Sequence, residues 1–321
     1  GMPTRHEQGD LRFALHAGQS DLPRLVLAPG DLNECFYDTF EAFNYAERYQ
    51  LPVIVLLDKY LATIYMTLPR FDLSGLKIDR GELFDPEKNS NGRYMRYRFT
   101  DSGISPRAIP GQPGGIFWAS SDEHDQLGHI AEGIGNRLAI MQKRMSKLEL
   151  AAREISEEKK YNFFGKPTAP VTLVSWGSTK GAILDALNQV DPERQNYSFL
   201  QLRLLLPFPE EAVRRLLAPA SKIITLECNY SAQLASLLRE KTGIQAHQRV
   251  VKYDGRPFSE DEVVQALAKA TGAGPAEIIV AEGKVVDRSY GRQQVAELVE
   301  LREKSGKMRP PLVPLPPGYN R

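Results

Sequence analysis

One stretch, Val171 to Leu187 (VTLVSWGSTKGAILDAL), limits the possible folds more than any other. Val171 to Trp176 is a short β-branched and aromatic run, the composition of a buried strand. Gly177 breaks it, Gly181 follows, and Ala182, Ile183, Ala186 and Leu187 then fall at helical spacing. A strand, a glycine turn and an amphipathic helix in succession open a βαβ unit. Parallel pairing needs such a crossover, and helices then cover the sheet. The chain is therefore expected to be α/β, layered around units of this kind.

The same grammar recurs upstream. Leu25 to Ala28 is a short apolar strand ended by Pro29-Gly30, and Asp31 or Asn33 can cap the helix that follows. That helix is expected to reach about Tyr49, with Phe36, Phe40, Phe43 and Ala46 on its apolar stripe. Val53 to Leu57 is apolar throughout, as a central parallel strand would be. Leu25 to Leu57 thus reads as one βαβ unit. Gly1 to Leu22 shows no clear period, and a helix from Leu61 to Met66 precedes Pro69. Arg70 to Gly115 is irregular; within it, Arg93 to Phe99 alternates basic with apolar residues like a half-exposed edge strand. Asn136 to Ile155 predicts an amphipathic helix with Leu138, Met141, Met145, Leu148 and Ala152 on its packed side. Ser156 to Pro170 is charged, holds Gly165, Pro167 and Pro170, and reads as a linker between domains.

Beyond it, strands at 171–176, 199–205, 223–227 and 244–251 alternate with helices at 178–189, 210–217, 231–241 and 260–270, an open doubly wound sheet. From Gly274 the pattern changes: β character at 276–286, a helix at 293–301 and a proline-rich run at 308–319. Such a tail is expected to lie across another surface, such as a partner subunit.

A length of 321 residues suggests two domains. A net charge of +1 supplies no field for nucleic acid or for an anionic membrane. Only Cys35 and Cys228 are present, which is no disulfide framework and no CxxC metal pattern, and suits a reducing cytoplasm. No apolar run approaches the roughly 20 residues of a membrane helix. Gly111 to Gly115 lacks the Lys-Ser/Thr of a P-loop, and GSTKG departs from GxGxxG, so a nucleotide site is not expected at either. Asp122, Glu123, His124, Asp125 and His129 are metal-ligand types in no metal-ligand spacing; local capping or interface hydrogen bonds are the expected role. His16 and His247 are expected at the surface or in caps.

Several stretches, in order, resemble one family: GMPTRHEQGD, LPVIVLLDKYLA, DSGISPRAIPG, ASSDEHDQLGHI, KRMSKLELAA, VSWGSTKGAILDAL, RLLLPFP, ECNYSAQLASLLRE and KYDGRPF. The family is the α subunit of the 2-oxoacid:ferredoxin oxidoreductases, which act on pyruvate or 2-oxoglutarate. The resemblance covers about residues 1 to 270 and departs in detail. Ala232 stands where NYSGQL is usual, and Gly18 to Asp21 replaces an HGEF-like stretch. It implies a thiamine-diphosphate pyrimidine-binding domain followed by a transketolase-C-terminal-like doubly wound domain. In those terms residues 1–155 are the C-terminal part of the first domain with its inserted loops and linking helix, 170–273 the second, and 274–321 an extension. Gly1 to Thr4 matches the end of the family's TG-x-PT sequence. The activating glutamate and the carboxylate-holding arginine of the family precede that sequence, so the chain corresponds to the later part of an α subunit.

The implied reaction is oxidative decarboxylation of a 2-oxoacid to an acyl-coenzyme A, with electrons passed to ferredoxin. Thiamine diphosphate and Mg2+ would be shared with a β subunit in an oligomer, and an iron–sulfur cluster would lie in a partner subunit or domain. The chain alone is expected to hold none of these and to be inactive. The residue carried over is Thr4, whose family counterpart lies near the substrate; its hydroxyl and methyl suit a carboxylate contact that also limits volume. Arg5, His6, Glu7 and Gln8 receive no role, and no catalytic residue is expected. The alternative is a scaffold of the same fold without chemistry.

Overall fold

The computed structural model describes residues 2, 4–87, 93–270 and 274–304. Its first element is one the sequence hides: α1 (Leu11–His16) buries Leu11, Ala14 and Leu15, too few turns to register as a period. β1 (Leu25–Leu27), α2 (Leu32–Tyr49) and β2 (Val53–Val55) form the expected βαβ unit, with Leu25 opposite Val53 in a parallel pair. Asp31 caps α2 by accepting the Glu34 N–H at 2.8 Å.

The face that α2 buries is not the predicted phenylalanine stripe. Glu34, Asp38, Ala42, Tyr45 and Tyr49 point inward, while Phe43 is 73% exposed and Phe36 stacks on Phe71 at 4.1 Å. The inward face is acidic because cations meet it there. Lys180 pairs with Asp31 and Glu34, and Arg203 with Asp38. Nor is β2 central: it is the edge of a three-stranded sheet ordered β2-β1-β6, with β6 at Leu204–Leu206, and its residues are half-buried.

α3 (Lys59–Thr63), capped by Asp58, is shorter than predicted. Residues 93–99 form no strand. Arg96 and Tyr97 make a turn, and Arg96 sits over the Tyr97 and Phe117 rings, which accounts for the alternation. α4 (Ile134–Glu154) buries Ile140 and Ala151, with the predicted Met141, Met145, Leu148 and Ala152 only half-buried and Leu138 exposed. Lys147 shares the packed face because its ammonium donates to the Gln50 carbonyl at 3.3 Å, at the C-terminal end of α2.

The expected linker is also structured. α5 (Glu157–Lys160) leads into β3 (Tyr161–Phe164), which pairs antiparallel with the strand at Tyr197–Leu202. Then come β4 (Val171–Trp176), α6 (Thr179–Val190), β5 (Tyr197–Leu202), β6 (Leu204–Leu206), α7 (Glu210–Leu217) and β7 (Lys222–Glu227). α8 (Gln233–Thr242), β8 (Gln248–Lys252), α9 (Glu260–Ala270), β9 (Glu277–Ala281), β10 (Lys284–Val286) and α10 (Tyr290–Lys304) follow. The larger sheet runs β10-β9-β8-β7-β4-β5-β3, parallel from β9 to β5 and antiparallel at both edges.

Ile183, Leu187, Val263 and Leu267 cover one face of this sheet from α6 and α9. Val213, Leu217, Leu234 and Leu238 cover the other from α7 and α8, joined by α1. A further expectation changes here. The single strand at 199–205 divides at Arg203, and β6 crosses to pair antiparallel with β1, so one stretch stitches the two sheets. Of the residues after Gly274, Glu277–Ala281 and Lys284–Val286 continue the sheet as β9 and β10. The proline-rich run at 308–319 lies outside the described residues.

Candidate functional site

In a doubly wound sheet, ligands bind where neighbouring strands send their connections to opposite sides. β4 connects to β5 on one side and β7 to β8 on the other, so the crevice lies between the C-terminal ends of β4 and β7. A side chain of this same chain fills it. The Gln8 amide donates to the Trp176 carbonyl at 3.1 Å and to Asp58 Oδ2 at 3.3 Å. Its oxygen accepts from the Cys228 N–H at 2.9 Å and the Thr179 hydroxyl at 3.3 Å. The Gln8 backbone closes the remaining groups, donating to Cys228 O at 2.7 Å and accepting from Asn229 Nδ2 at 3.2 Å.

Three turns fit around this plug. Gly177 has φ +63, and a Cβ there would lie 2.7 Å from Gln8 Nε2. Asp58 links the two sheets, accepting the Leu61 N–H at 3.1 Å and the Ser178 N–H at the start of α6, also at 3.1 Å. Glu227, at the end of β7, accepts from Leu234 N, Ala235 N and Asn229 Nδ2, so it holds the residue that in turn holds Gln8. Burial pushes the Glu227 carboxyl up, against those donors.

His6 lies next along the segment, its N–H donating to the Gly255 carbonyl at 3.0 Å. It is 5% exposed, its Nδ1 is 3.8 Å from Asp58 Oδ1, and neither ring nitrogen has a hydrogen-bond partner among the described residues. Burial lowers its pKa, so the ring is neutral near pH 7. Lys252 beneath is committed to Glu262 at 2.5 Å and Asp254 at 3.0 Å. Thr4 sits at the outer end of the segment, exposed in a turn, its hydroxyl without a hydrogen bond among the described residues. Arg5 and Glu7 are exposed, whereas His6 and Gln8 are buried. The role of Gln8 had no local signal, since its partners are distant in sequence, whereas Asp58 and Glu227 combine near partners, Leu61 and Asn229, with the distant contacts they make or support.

Among the described residues, the glycine turns at the ends of β1 and β4 offer no cradle for a diphosphate. Gly177 is closed by Gln8. A Cβ at Gly30, the other glycine at a strand end, would lie 2.4 Å from Gln201 Nε2 and 2.9 Å from Lys180 Cδ. Lys180 of the GSTKG turn is spent on Asp31 and Glu34. The 122–129 loop is likewise occupied with capping and pairing. Asp125 accepts from Leu127 N and His129 N, and Glu123 pairs with Arg137 and Arg144. Those arginines hold the Glu123 carboxyl down at about 2 against the opposing effect of burial. His247 closes a sheet end, its Nδ1 accepting from Ile223 N at 3.0 Å.

Comparison with known proteins is consistent with this architecture. Residues 1–143 match the family described as pyruvate flavodoxin/ferredoxin oxidoreductase, thiamine diP-bdg, and residues 169–263 match pyruvate:ferredoxin oxidoreductase core domain II. The chain is 40% identical over 287 residues to subunit alpha of a 2-oxoacid:ferredoxin oxidoreductase from Sulfurisphaera tokodaii, covering 88% of this chain and 44% of that one. It is 29% identical to a 2-oxoglutarate oxidoreductase subunit from Mycobacterium tuberculosis, over 87% of this chain and 41% of that one. The fold superposes on the 2-oxoglutarate:ferredoxin oxidoreductase from Magnetococcus marinus with a TM-score of 0.76 and 32% identity, covering 84% of this chain and 46% of that chain. That structure holds 2-oxoglutarate, coenzyme A and succinyl-CoA. The chain thus spans less than half the length of these relatives.

Proposed function

The chain belongs to the family of 2-oxoacid:ferredoxin oxidoreductase α subunits, and from that premise we propose that it supplies the substrate-selecting edge of such an enzyme. The complete enzyme oxidatively decarboxylates a 2-oxoacid, transfers the acyl group to coenzyme A and passes electrons to ferredoxin. Thiamine diphosphate with Mg2+ is held jointly with a β subunit, and the iron–sulfur cluster belongs to a partner subunit or domain. The assembly works in the cytoplasm. The reading keeps residues 1–155 as part of the pyrimidine-binding unit and places the second unit after it.

The observation that carries this reading is the anchored segment from Thr4 to Gln8. Gln8 is locked in the crevice and His6 is buried, while Thr4 stands free at the exposed end. A rigid anchor and an unspent hydroxyl are what a substrate-contacting residue requires. The closed glycine turns support a cofactor bound mainly by other parts of the assembly. The same closure favours the second reading, a silent scaffold, because Asp58, Glu227 and Lys252 all hold structural partners. The two separate in one assay of the complete enzyme: 2-oxoacid- and coenzyme A-dependent reduction of ferredoxin. Turnover with pyruvate or 2-oxoglutarate supports the first reading, and none with either supports the scaffold.

A further inference from the structure

We propose that the basic cluster of Arg96, Lys143 and Lys147 binds a tetrahedral oxyanion, a phosphate or sulfate group. Two of the three meet on one residue at the end of α2. Arg96 Nη1 donates to Gln50 Oε1 at 2.9 Å, and Lys147 Nζ donates to the Gln50 carbonyl at 3.3 Å. Lys143 lies one turn before Lys147 on the same side of α4. The 100–105 loop packs on that turn: a Cβ at Gly103 would lie 3.0 Å from the Lys143 carbonyl and 3.7 Å from Lys147 Cγ. Gln50 Nε2 ties the loop down by donating to the Ser105 carbonyl at 2.7 Å. Three half-buried cations are thus held together.

No carboxylate offsets them. Among the described residues none of the three forms an ion pair. The acids nearby are spent elsewhere, Glu123 on Arg137 and Arg144, and Glu47 on Arg107 and, at 3.7 Å, Arg80. Like charge instead adds to burial, and together they hold both lysines below the ordinary lysine range. The guanidinium keeps its proton whatever surrounds it. The free donors can be reached. Lys143 Nζ and the Nε–Nη2 edge of Arg96 have no hydrogen-bond partner among the described residues, yet none of these atoms is sealed from solvent. The Tyr97 and Phe117 rings hold the guanidinium in place. A carboxylate would spend both oxygens on that edge and leave the lysines unmatched. A tetrahedral oxyanion keeps further oxygens for the two ammonium groups.

Titration calorimetry of the 321-residue chain with sulfate and with acetate, at one ionic strength set with chloride, tests this. Sulfate should bind about tenfold or more tightly than acetate. Binding draws the lysines to their charged form, so sulfate affinity should fall as pH rises from about 7 to about 9, a range in which sulfate itself does not titrate. Arg96→Met and Lys143→Met should each weaken sulfate about tenfold. Equal affinity for sulfate and acetate, sulfate binding untouched by both substitutions, or sulfate affinity independent of pH overturns the proposal. If either variant does not fold, the comparison of sulfate with acetate and its pH dependence decide on the unaltered chain. Inorganic phosphate and glycerol phosphate separate the sources: tighter binding of the ester assigns the site to a phosphorylated organic molecule, and tighter binding of inorganic phosphate assigns it to the free anion. No readout depends on 2-oxoacid turnover, so this inference can fail while the proposed activity stands.

Discussion

Gln8 serves four partners through its side-chain amide: Asp58, Trp176, Thr179 and Cys228. Gln8→Leu keeps the bulk and removes every one of those hydrogen bonds, leaving the Cys228 N–H and the Trp176 carbonyl buried and unpaired. At about 1–3 kcal/mol per buried orphan, the expected loss from the two is about 2–6 kcal/mol, read as a lowered denaturant midpoint. A loss under about 0.5 kcal/mol, the level of an ordinary surface substitution, would count against the plug. Gly177→Ala meets two obstacles, a positive φ and the Gln8 amide 2.7 Å from the new Cβ, and should cost about 2 kcal/mol or more. Ala232 shows the opposite balance. It holds φ +51 where the family usually has glycine, but its methyl is buried against Ala235, Val251 and Ile279. Relief of about 1–2 kcal/mol of backbone strain is offset by a lost buried methyl and by glycine's freedom when unfolded. Ala232→Gly should therefore lie within about 1 kcal/mol of neutral. Gln8 was illegible in the sequence because its partners lie 50 to 221 positions away, whereas the Asp31 cap, three residues from its donor, was plain.

At the scale of elements, helices and strands announced themselves where the pattern was local, and mis-stated their packed face where a tertiary partner overrode hydrophobicity. α2 turns its acids inward to Lys180 and Arg203, and α4 turns Lys147 inward to the end of α2. β6 could not be separated from β5, since nothing in QLRLLLPF marks the sheet change at Arg203. The lysines of α4 carry a consequence for pH. Burial lowers Lys147 to about 7 and Lys143 to about 8, helped in both by Arg96 and Arg144. The unfolded chain titrates its lysines near 10.4, so above about pH 7 it holds more protons than the folded chain, and stability rises with pH. Cys35 and Cys228, whose thiols burial pushes up, oppose this above about pH 8.5, where unfolded thiols ionise. Chemical denaturation should thus show greater stability at about pH 8 than at about pH 7, a difference that Lys147→Met reduces. An identical pH slope in the variant would contradict a desolvated Lys147.

On the whole molecule, the exposed apolar residues are concentrated on the first unit. Tyr65 is 99% exposed, Ile116 93%, Ile134 80% and Leu138 68%, and β2 is an edge strand among the described residues. Surfaces of this kind associate. The purified chain should bind a hydrophobic dye and self-associate as its concentration rises; a strictly monomeric chain without dye binding would argue that these residues need no cover. Among the described residues no helix is long and apolar enough to cross a membrane. The central claim concerns the other end of the molecule, where Thr4 is presented by its anchored segment. In the complete enzyme, Thr4→Ala removes a hydroxyl worth about 1.5–3 kcal/mol against a carboxylate, or about ten- to hundredfold in kcat/KM. Pyruvate and 2-oxoglutarate fill a pocket differently, so their ratio must move as well as their separate values. The measurement is kcat/KM for both substrates at saturating thiamine diphosphate, wild type against Thr4→Ala, with Arg5→Ala as the control. A shifted ratio in Thr4→Ala alone is the predicted result; an unchanged ratio with both values within about twofold of wild type would contradict the account.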